Sequence, residues 1–354
     1  MIPFFDFKVF LRYFHYMDNN EKKICKRCVL PETPPHITID DEGICNICRE
    51  YERANPDGIV PQEMLESNLV KILNKNKGKE DYDALVMCSG GKDSTAALYY
   101  AVKRYKLRVL AFTFDHGFET DEALDNVKRA VGKLGIDWLY YKSDYMKEMF
   151  SYIIKNNSKA SICHLCSMWY VMTTLKMAAR YNIPIVMAGW TVGQAKLPTL
   201  ITKHSCDIGA KEYAEISQAT KEFLKDNLSE LPKYKDFPRS MEEVLKRANK
   251  KHKTMIISPH WFLRDSIDEY VELITNELGW KKTELSYPKN STNCMMNFMS
   301  SELSNKYYGY NHYHVEMSKL IRMNRMTRDE ALRLLKKNYD NKILDEILRR
   351  LNLK

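Results

Sequence analysis

No run of 18 apolar residues occurs in this 354-residue chain, so no membrane-spanning helix is expected. The opening MIPFFDFKVFLRYFHYM is aromatic, short and internally charged. It lacks a small-residue cleavage site, so a signal peptide is not expected. Residues 1–20 read as an extension: Met1–Tyr16 is either a docking helix or upstream sequence, with Met17 as the working start. Acidic residues fall short of basic ones, 46 against 55, which leaves a net charge of +9. That excess suits a polyanionic partner such as RNA or a phosphorylated substrate, and equally a lysine-rich solvated surface. Without span or leader the protein reads as cytoplasmic. Its nine cysteines then favour metal binding or catalysis over disulfides.

Four of those cysteines fall in two pairs. Cys25 and Cys28 form CKRC, Cys45 and Cys48 form CNIC, and 16 residues separate the pairs. This spacing is that of a four-cysteine zinc site. Residues 21–54 therefore read as a zinc ribbon, with a pair of redox dithiols as the alternative. Four thiolates would leave no open position for catalysis.

A charged linker, NLVKILNKNKGKEDYD, leads into a segment where strands and helices alternate. DALVMC, LRVLAFTFD, IDWLYYKSD and IPIVMAGW read as strands. GKDSTAALYYAVKRY, EALDNVKRAVGKLG and HLCSMWYVMTTLKMAARYN read as helices. The alternation predicts an α/β fold, a doubly wound parallel sheet over residues 80–200. Ligands bind such sheets at the carboxyl ends of their strands. Residues 203–260 read as a charged helical insertion, either a lid or a solvated hairpin. Residues 261–354 form a substrate-side and helical C-terminal region.

The segment VMCSGGKDSTAAL lies at one of those strand ends. Gly90 and Gly91 permit unusual backbone angles and close approach of amide groups to a ligand. The next helix presents its positive end. Lys92 adds a charge, and Ser89 and Ser94 add hydroxyls. The loop is too short for G-x-x-x-x-G-K-[ST], which excludes the ordinary nucleotide-hydrolase loop. SGGKDS instead resembles the pyrophosphate loop of the PP-loop (HUP-type) ATP pyrophosphatase superfamily. That resemblance implies cleavage of ATP between the α- and β-phosphates, adenylation of a substrate carbonyl oxygen, and displacement of AMP by a nucleophile. It implies that Ser89, Gly90, Gly91, Lys92, Asp93 and Ser94 hold the phosphates and that Asp93 meets Mg2+. It also places Asp115, in FTFDHG, beside adenine and ribose, and Gly189 at the end of the fourth strand in the nucleotide site.

Two branches of that superfamily are resembled. Cys163 and Cys166 form CHLC, and Cys294 follows in NSTNCMMN. This trio, behind a zinc ribbon, resembles the tRNA two-thiouridine synthetases. The likeness implies a [4Fe-4S] cluster on Cys163, Cys166 and Cys294, an open iron that presents sulfide, a tRNA or small nucleotide acceptor and a sulfur carrier. The second zinc-binding tail of that family has no matching cysteine pairs here. CKRCVLPETPPHITIDDEGICNICREYE and SKLIRMNRMTRDEALRLLKKNYDNKILDE resemble the two ends of the N-acetyl sugar amidotransferases. That likeness implies a sugar substrate and ammonia from a glutaminase subunit. Sulfur insertion is the reading carried forward, with nitrogen insertion the alternative and a non-catalytic nucleotide-binding module the third. A homodimer is compatible with each.

Cys88 reads as core packing, and Cys206 as a loop residue without assigned role. YYGYNHYHVEM could stack on bases or sugars, or fill an interface. His312 and His314 alternate and, if extended, share one side of a strand; they do not read as metal ligands.

Overall fold

The computed structural model describes residues 22–55, 62–194, 211–249, 253–289 and 294–354. Its centre is a sheet of five strands: β1 (Ala84–Met87), β2 (Val109–Asp115), β3 (Asp137–Lys142), β4 (Ile185–Met187) and β5 (Met255–Ile257). The order is β3-β2-β1-β4-β5 and every pairing is parallel. β1 and β2 are buried at every residue, as expected of central parallel strands covered on both faces. Side chains alternate between two cores. Leu85 and Met87 of β1 face one, together with α5 (Lys147–Lys155) and α6 (Ile162–Arg180). Ala84 and Val86 face the other, together with α2 (Gln62–Asn76), α3 (Lys92–Tyr99), α4 (Asp121–Leu134) and α9 (Ile267–Leu278).

Three local expectations are corrected. The segment expected as a charged linker contains α2, whose Leu69 and Leu73, one helical turn apart, are buried against the sheet. The segment read as a charged helical insertion, residues 203–260, contributes α7 (Ala214–Asn227) and α8 (Met241–Asn249), and also strand β5. His312 and His314 are not extended. They open helix α11 (His312–Arg322), where Asn311 is the N-cap and His314 returns a contact to the Asn311 backbone.

The N-terminal unit consists of tight turns with bridges Ile24–Pro31, Thr33–Ile37 and Ile39–Cys45, followed by α1 (Asn46–Ala54). It is seated on the C-terminal helices α10 (Met296–Tyr308), α11 and α12 (Arg328–Leu335); α13 (Lys342–Arg350) follows them. Arg328 Nε donates to the carbonyls of Cys25 (3.1 Å) and Cys28 (3.0 Å). The Val29 amide donates to Ser318 Oγ at 3.3 Å, and Lys22 Nζ to the Tyr308 carbonyl at 2.9 Å. Tyr308, Tyr310 and Val315 share an apolar cluster with the four cysteines.

No helix among the described residues is long and apolar enough to cross a membrane.

Candidate functional site

The phosphate-type loop leaves β1 and turns sharply into α3. Gly90 has φ +80°, and a Cβ there would lie 2.0 Å from the Ala123 carbonyl oxygen in the first turn of α4. The Gly90 carbonyl is fixed by Trp280 Nε1 (2.9 Å) and Asn126 Nδ2 (3.2 Å). Gly189, just beyond β4, packs so closely on α3 that a Cβ would lie 2.5 Å from Ser94 Cα. Ser94 Oγ donates to the Gly91 carbonyl at 3.2 Å and accepts from the Ser89 amide at 3.2 Å. The two hydroxyls lie 3.1 Å apart. The loop is thus shaped by its own contacts, with Gly91 as N-cap of α3 and no side-chain cap hydrogen bond at the helix start. A helix start of this kind favours an anionic ligand.

Asp93 is the polar hub. Lys92 Nζ donates to both carboxylate oxygens (2.8 and 2.7 Å), Tyr270 OH donates to Oδ1 at 2.5 Å, and His260 Nε2 lies 2.9 Å from the Asp93 carbonyl. Burial pushes its carboxyl up, but Lys92, His260 and the hydrogen bonds outweigh this and hold it below the usual range. Asp93 is therefore an ionised carboxylate, suited to a hydrated Mg2+. Lys92 faces a second cavity of about 570 Å³ on the other side of the loop, bordered by α9 and α11.

A cavity of about 440 Å³ lies at the carboxyl ends of β1, β2 and β4. Ser89, Gly91, Asp93, Ser94 and Gly189 form its floor. Cys163 and Cys166 enter from the first turns of α6, and Cys294 from the residues before α10. The trio separated by more than a hundred residues in sequence thus borders the same space as the loop. Burial pushes the Cys163 thiol up to about 11, and pushes Cys166 and Cys294 well above the ordinary value. Such thiols become thiolates when a metal ion is present to hold them. Three sulfur donors bordering one cavity suit an iron–sulfur group by donor type.

Asp115 sits at the end of β2, but its carboxylate is engaged elsewhere. Tyr140 OH donates to Oδ2 at 2.5 Å and the Gly117 amide to Oδ1 at 2.6 Å. The residues that do reach the cavity from this strand end are His116 and Glu119. Sequence reasoning did not single them out. His116 Nε2 lies 3.4 Å from Glu119 Oε1 and 3.4 Å from Cys294 Sγ. Burial pushes His116 down to about 4; burial, then Asp115, pushes Glu119 up to about 8. Glu316 of α11 was also missed. It accepts from Thr191 Oγ1 (2.9 Å) and Gln194 Nε2 (3.1 Å), and burial raises its carboxyl. His312 and Tyr313 also border the cavity, whereas His314 caps its own helix. Cys88 is buried at the end of β1, beside the loop, and burial pushes its thiol up to about 12. Cys206 lies outside the described residues.

The four ribbon cysteines are buried, and their sulfurs all lie within 4.8 Å of one another. Cys28 and Cys45 Sγ are 3.7 Å apart. A tetrahedral ion with Zn–S bonds near 2.3 Å separates its sulfurs by about 3.8 Å, so the spacing fits. The amides of Arg27, Cys28 and Cys45 point at Cys25 Sγ (3.4, 3.5 and 3.2 Å). Hydrogen bonds from the Cys28, Cys45 and Cys48 thiols hold Cys25 well below the ordinary thiol value, and donating to Cys25 raises Cys45 and Cys48. Side chains crowded in this way suit a metal ion, which would replace shared protons.

Comparisons with known proteins follow the same division. The family described as queuosine biosynthesis protein QueC matches residues 83–165, which contain the loop and the first three strands. The family described as LPS biosynthesis protein WbpG-like, C-terminal domain, matches residues 292–354. A relative from Methanocaldococcus jannaschii, the uncharacterized protein MJ1599, is 24% identical over 331 residues, covering 93% of this chain and 99% of that one. Among solved structures, the U34-tRNA thiolase NcsA from Methanococcus maripaludis with its [4Fe-4S] cluster is 15% identical, with a TM-score of 0.35. That match covers 90% of this chain and 91% of the other. An NH3-dependent NAD synthetase from Campylobacter jejuni is 14% identical, covering 54% of this chain and 95% of the other, with a TM-score of 0.31. The SGGKDS loop at the carboxyl end of the central strand of a parallel sheet, and the match over residues 83–165, support a resemblance to the PP-loop ATP pyrophosphatase superfamily.

Proposed function

We propose that this protein uses ATP to adenylate a carbonyl oxygen of its substrate and then replaces that oxygen with sulfur. The carbonyl oxygen attacks the α-phosphorus of ATP, pyrophosphate leaves, and a sulfide adds to the activated carbon. The C–O bond to AMP then breaks and a thiocarbonyl remains. Ser89, Gly90, Gly91, Lys92 and Ser94 hold the phosphates, Asp93 holds Mg2+, and Gly189 keeps the fourth strand end against α3. Cys163, Cys166 and Cys294 hold a [4Fe-4S] cluster, which when bound supplies an iron without a protein ligand that can carry sulfide. Cys25, Cys28, Cys45 and Cys48 hold a structural zinc ion. A tRNA base or a related nucleotide is the acceptor class, with a sulfur carrier as donor. The observation that carries this reading is the approach of the three cysteines to the loop's own cavity.

Protein purified without oxygen should contain about four iron and four sulfide per chain and absorb broadly in the visible, as thiolate-ligated clusters do. Cys163→Ala should abolish both the absorbance and the entry of isotope-labelled sulfide into product, while ATP binding survives. A second reading, nitrogen insertion with ammonia from a glutaminase partner, draws on the WbpG-like match over residues 292–354. Colourless anaerobic protein whose Cys163→Ala variant still works with ammonia would decide for it. Lys92→Ala should remove one charge-assisted phosphate contact worth about 1.5–3 kcal/mol. Pyrophosphate release should then fall by roughly ten- to a hundredfold, and the melting temperature should drop while the fold is kept, because the buried Asp93 carboxylate loses its Lys92 partner. Unchanged turnover would mean that ATP binds elsewhere. Absence of any pyrophosphate release from the wild type with every candidate acceptor would leave a nucleotide-binding module.

A further inference from the structure

We propose that His116, Glu119 and Cys294 form a mononuclear site for a zinc-class divalent cation, which holds Cys294 whenever the cysteine trio carries no cluster. Their ligand atoms all lie within 4.8 Å of one another. His116 Nε2 is 3.4 Å from Glu119 Oε1 and 3.4 Å from Cys294 Sγ. Donor atoms bonded at 2.0–2.3 Å to one tetrahedral ion are separated by about 3.3–3.8 Å. One ion fits among the three side chains with little movement.

The donors are brought together by backbone. Glu119 and Cys294 form an antiparallel bridge, and the Met295 amide donates to the Phe118 carbonyl at 2.8 Å. The His116 ring stands edge-on to Phe150, with centroids 5.8 Å apart at 90°, and lies 5.8 Å from Phe118. Its Nδ1 is buried without a hydrogen-bond partner, so the ring is oriented by packing and by the contacts of Nε2 with Glu119 and Cys294. The set is therefore built before any ligand arrives.

The donor types select the ion. One nitrogen, one oxygen and one sulfur suit zinc, iron(II) or cobalt(II), and do not suit magnesium or calcium. A thiolate and a carboxylate balance the two charges of the ion. All three side chains border the cavity at the strand ends, which leaves the fourth position facing the substrate space rather than closed by protein. A cluster would use Cys294 alone for one of its irons and leave His116 and Glu119 without a ligand role; a single ion uses all three. The two occupancies share Cys294 and exclude each other, so the ion competes with cluster assembly. The ion site itself does not depend on the sulfur reading.

Cobalt(II) is the probe. The full-length chain, purified in air and free of iron, with its ribbon zinc in place, is titrated with Co2+ and followed by absorption spectroscopy. The expected result is one further ion per chain, with a thiolate-to-cobalt charge-transfer band and visible bands of tetrahedral intensity. His116→Ala and Glu119→Gln should lose these bands, and Cys163→Ala should keep them. Glu119→Gln, which preserves shape, guards against a folding defect, and its melting temperature is measured alongside. Under anaerobic reconstitution, added Zn2+ should slow iron–sulfur assembly in the wild type and not in Glu119→Gln. Uptake of no ion beyond the ribbon's would overturn the site. So would bands that persist in Glu119→Gln, or that vanish in Cys163→Ala as fully as in Glu119→Gln. Intact cobalt binding in protein that never assembles a cluster would instead overturn the cluster reading and leave this site standing.

Discussion

Gly90→Ala is expected to suppress pyrophosphate release by at least about a thousandfold, since displacing even one preorganised donor costs roughly 10²–10³ in rate. Two effects combine. With φ at +80°, an alanine would sit in the left-handed region, at a cost of about 1–2 kcal/mol. Its Cβ would also lie 2.0 Å from the Ala123 carbonyl oxygen, and backbone at the start of α4 cannot rotate away as a flexible side chain would. The loop must therefore shift. Shifting it breaks the Trp280 and Asn126 hydrogen bonds to the Gly90 carbonyl and displaces the amides at the start of α3. Several phosphate donors are misplaced together rather than one. The control is Gly135→Ala: Gly135 also has a positive φ, +63°, but open space where its Cβ would lie. That variant should lose about 1–2 kcal/mol of stability and keep its turnover. Labelled-ATP turnover, read beside thermal melts of both variants, separates the outcomes. Near wild-type turnover in folded Gly90→Ala would show that the loop does not cradle phosphate.

The loop was legible in sequence because its chemistry is local. Six consecutive residues, a strand before them and a helix after them carry the whole signal, and the structure places each element there. The paired ribbon cysteines were legible for the same reason, since each pair turns on itself. What stayed hidden was set by distance or by brevity. His116 and Glu119 gain meaning only beside Cys294, which a backbone bridge brings across 175 positions of sequence. Three-residue β5, MII, is too short to show a period, and it follows a lysine-rich stretch that reads as helix. In α2 the one-turn spacing of Leu69 and Leu73 is masked by the asparagines and lysines around it. His312 and His314 have the spacing of a strand, but Asn311 before them is a helix cap, and the cap decided the local structure. Asp115 occupies the expected strand end, yet its tyrosine and amide partners turn its carboxylate from the cavity, which no linear motif records.

Cys45→Ser is expected to strip the ribbon of its metal, unfold it, and weaken the distant reaction without removing iron. Structural zinc supplies roughly 10–16 kcal/mol to small units of this kind, and the apolar cluster of residues 22–55 is built around the four cysteines themselves. The consequence reaches the cavity through α11. Ser318 on that helix accepts from the ribbon's Val29 amide, while Glu316 and Lys319 on the same helix border the substrate space. Arg328, at the start of α12, donates to the carbonyls of Cys25 and Cys28, so those two helices lose a shared anchor when the cysteine turns open. Arg322 of α11, paired with Glu212 at 2.9 Å, also lies over the ring of Tyr51 in the ribbon, so this helix end loses a ribbon contact as well. Hydrogen exchange should therefore accelerate over residues 22–55 and over α11, and much less over β1 and β2 at the centre of the sheet. Pyrophosphate release should decline by a smaller factor than in Gly90→Ala, because the loop rests on the sheet and on α4 rather than on the ribbon. Elemental analysis of anaerobic protein supplies the decisive reading: zinc lost, iron kept. Iron lost with the rest of the chain folded would mean that the four N-terminal cysteines hold the iron, and the cavity trio would then need another role.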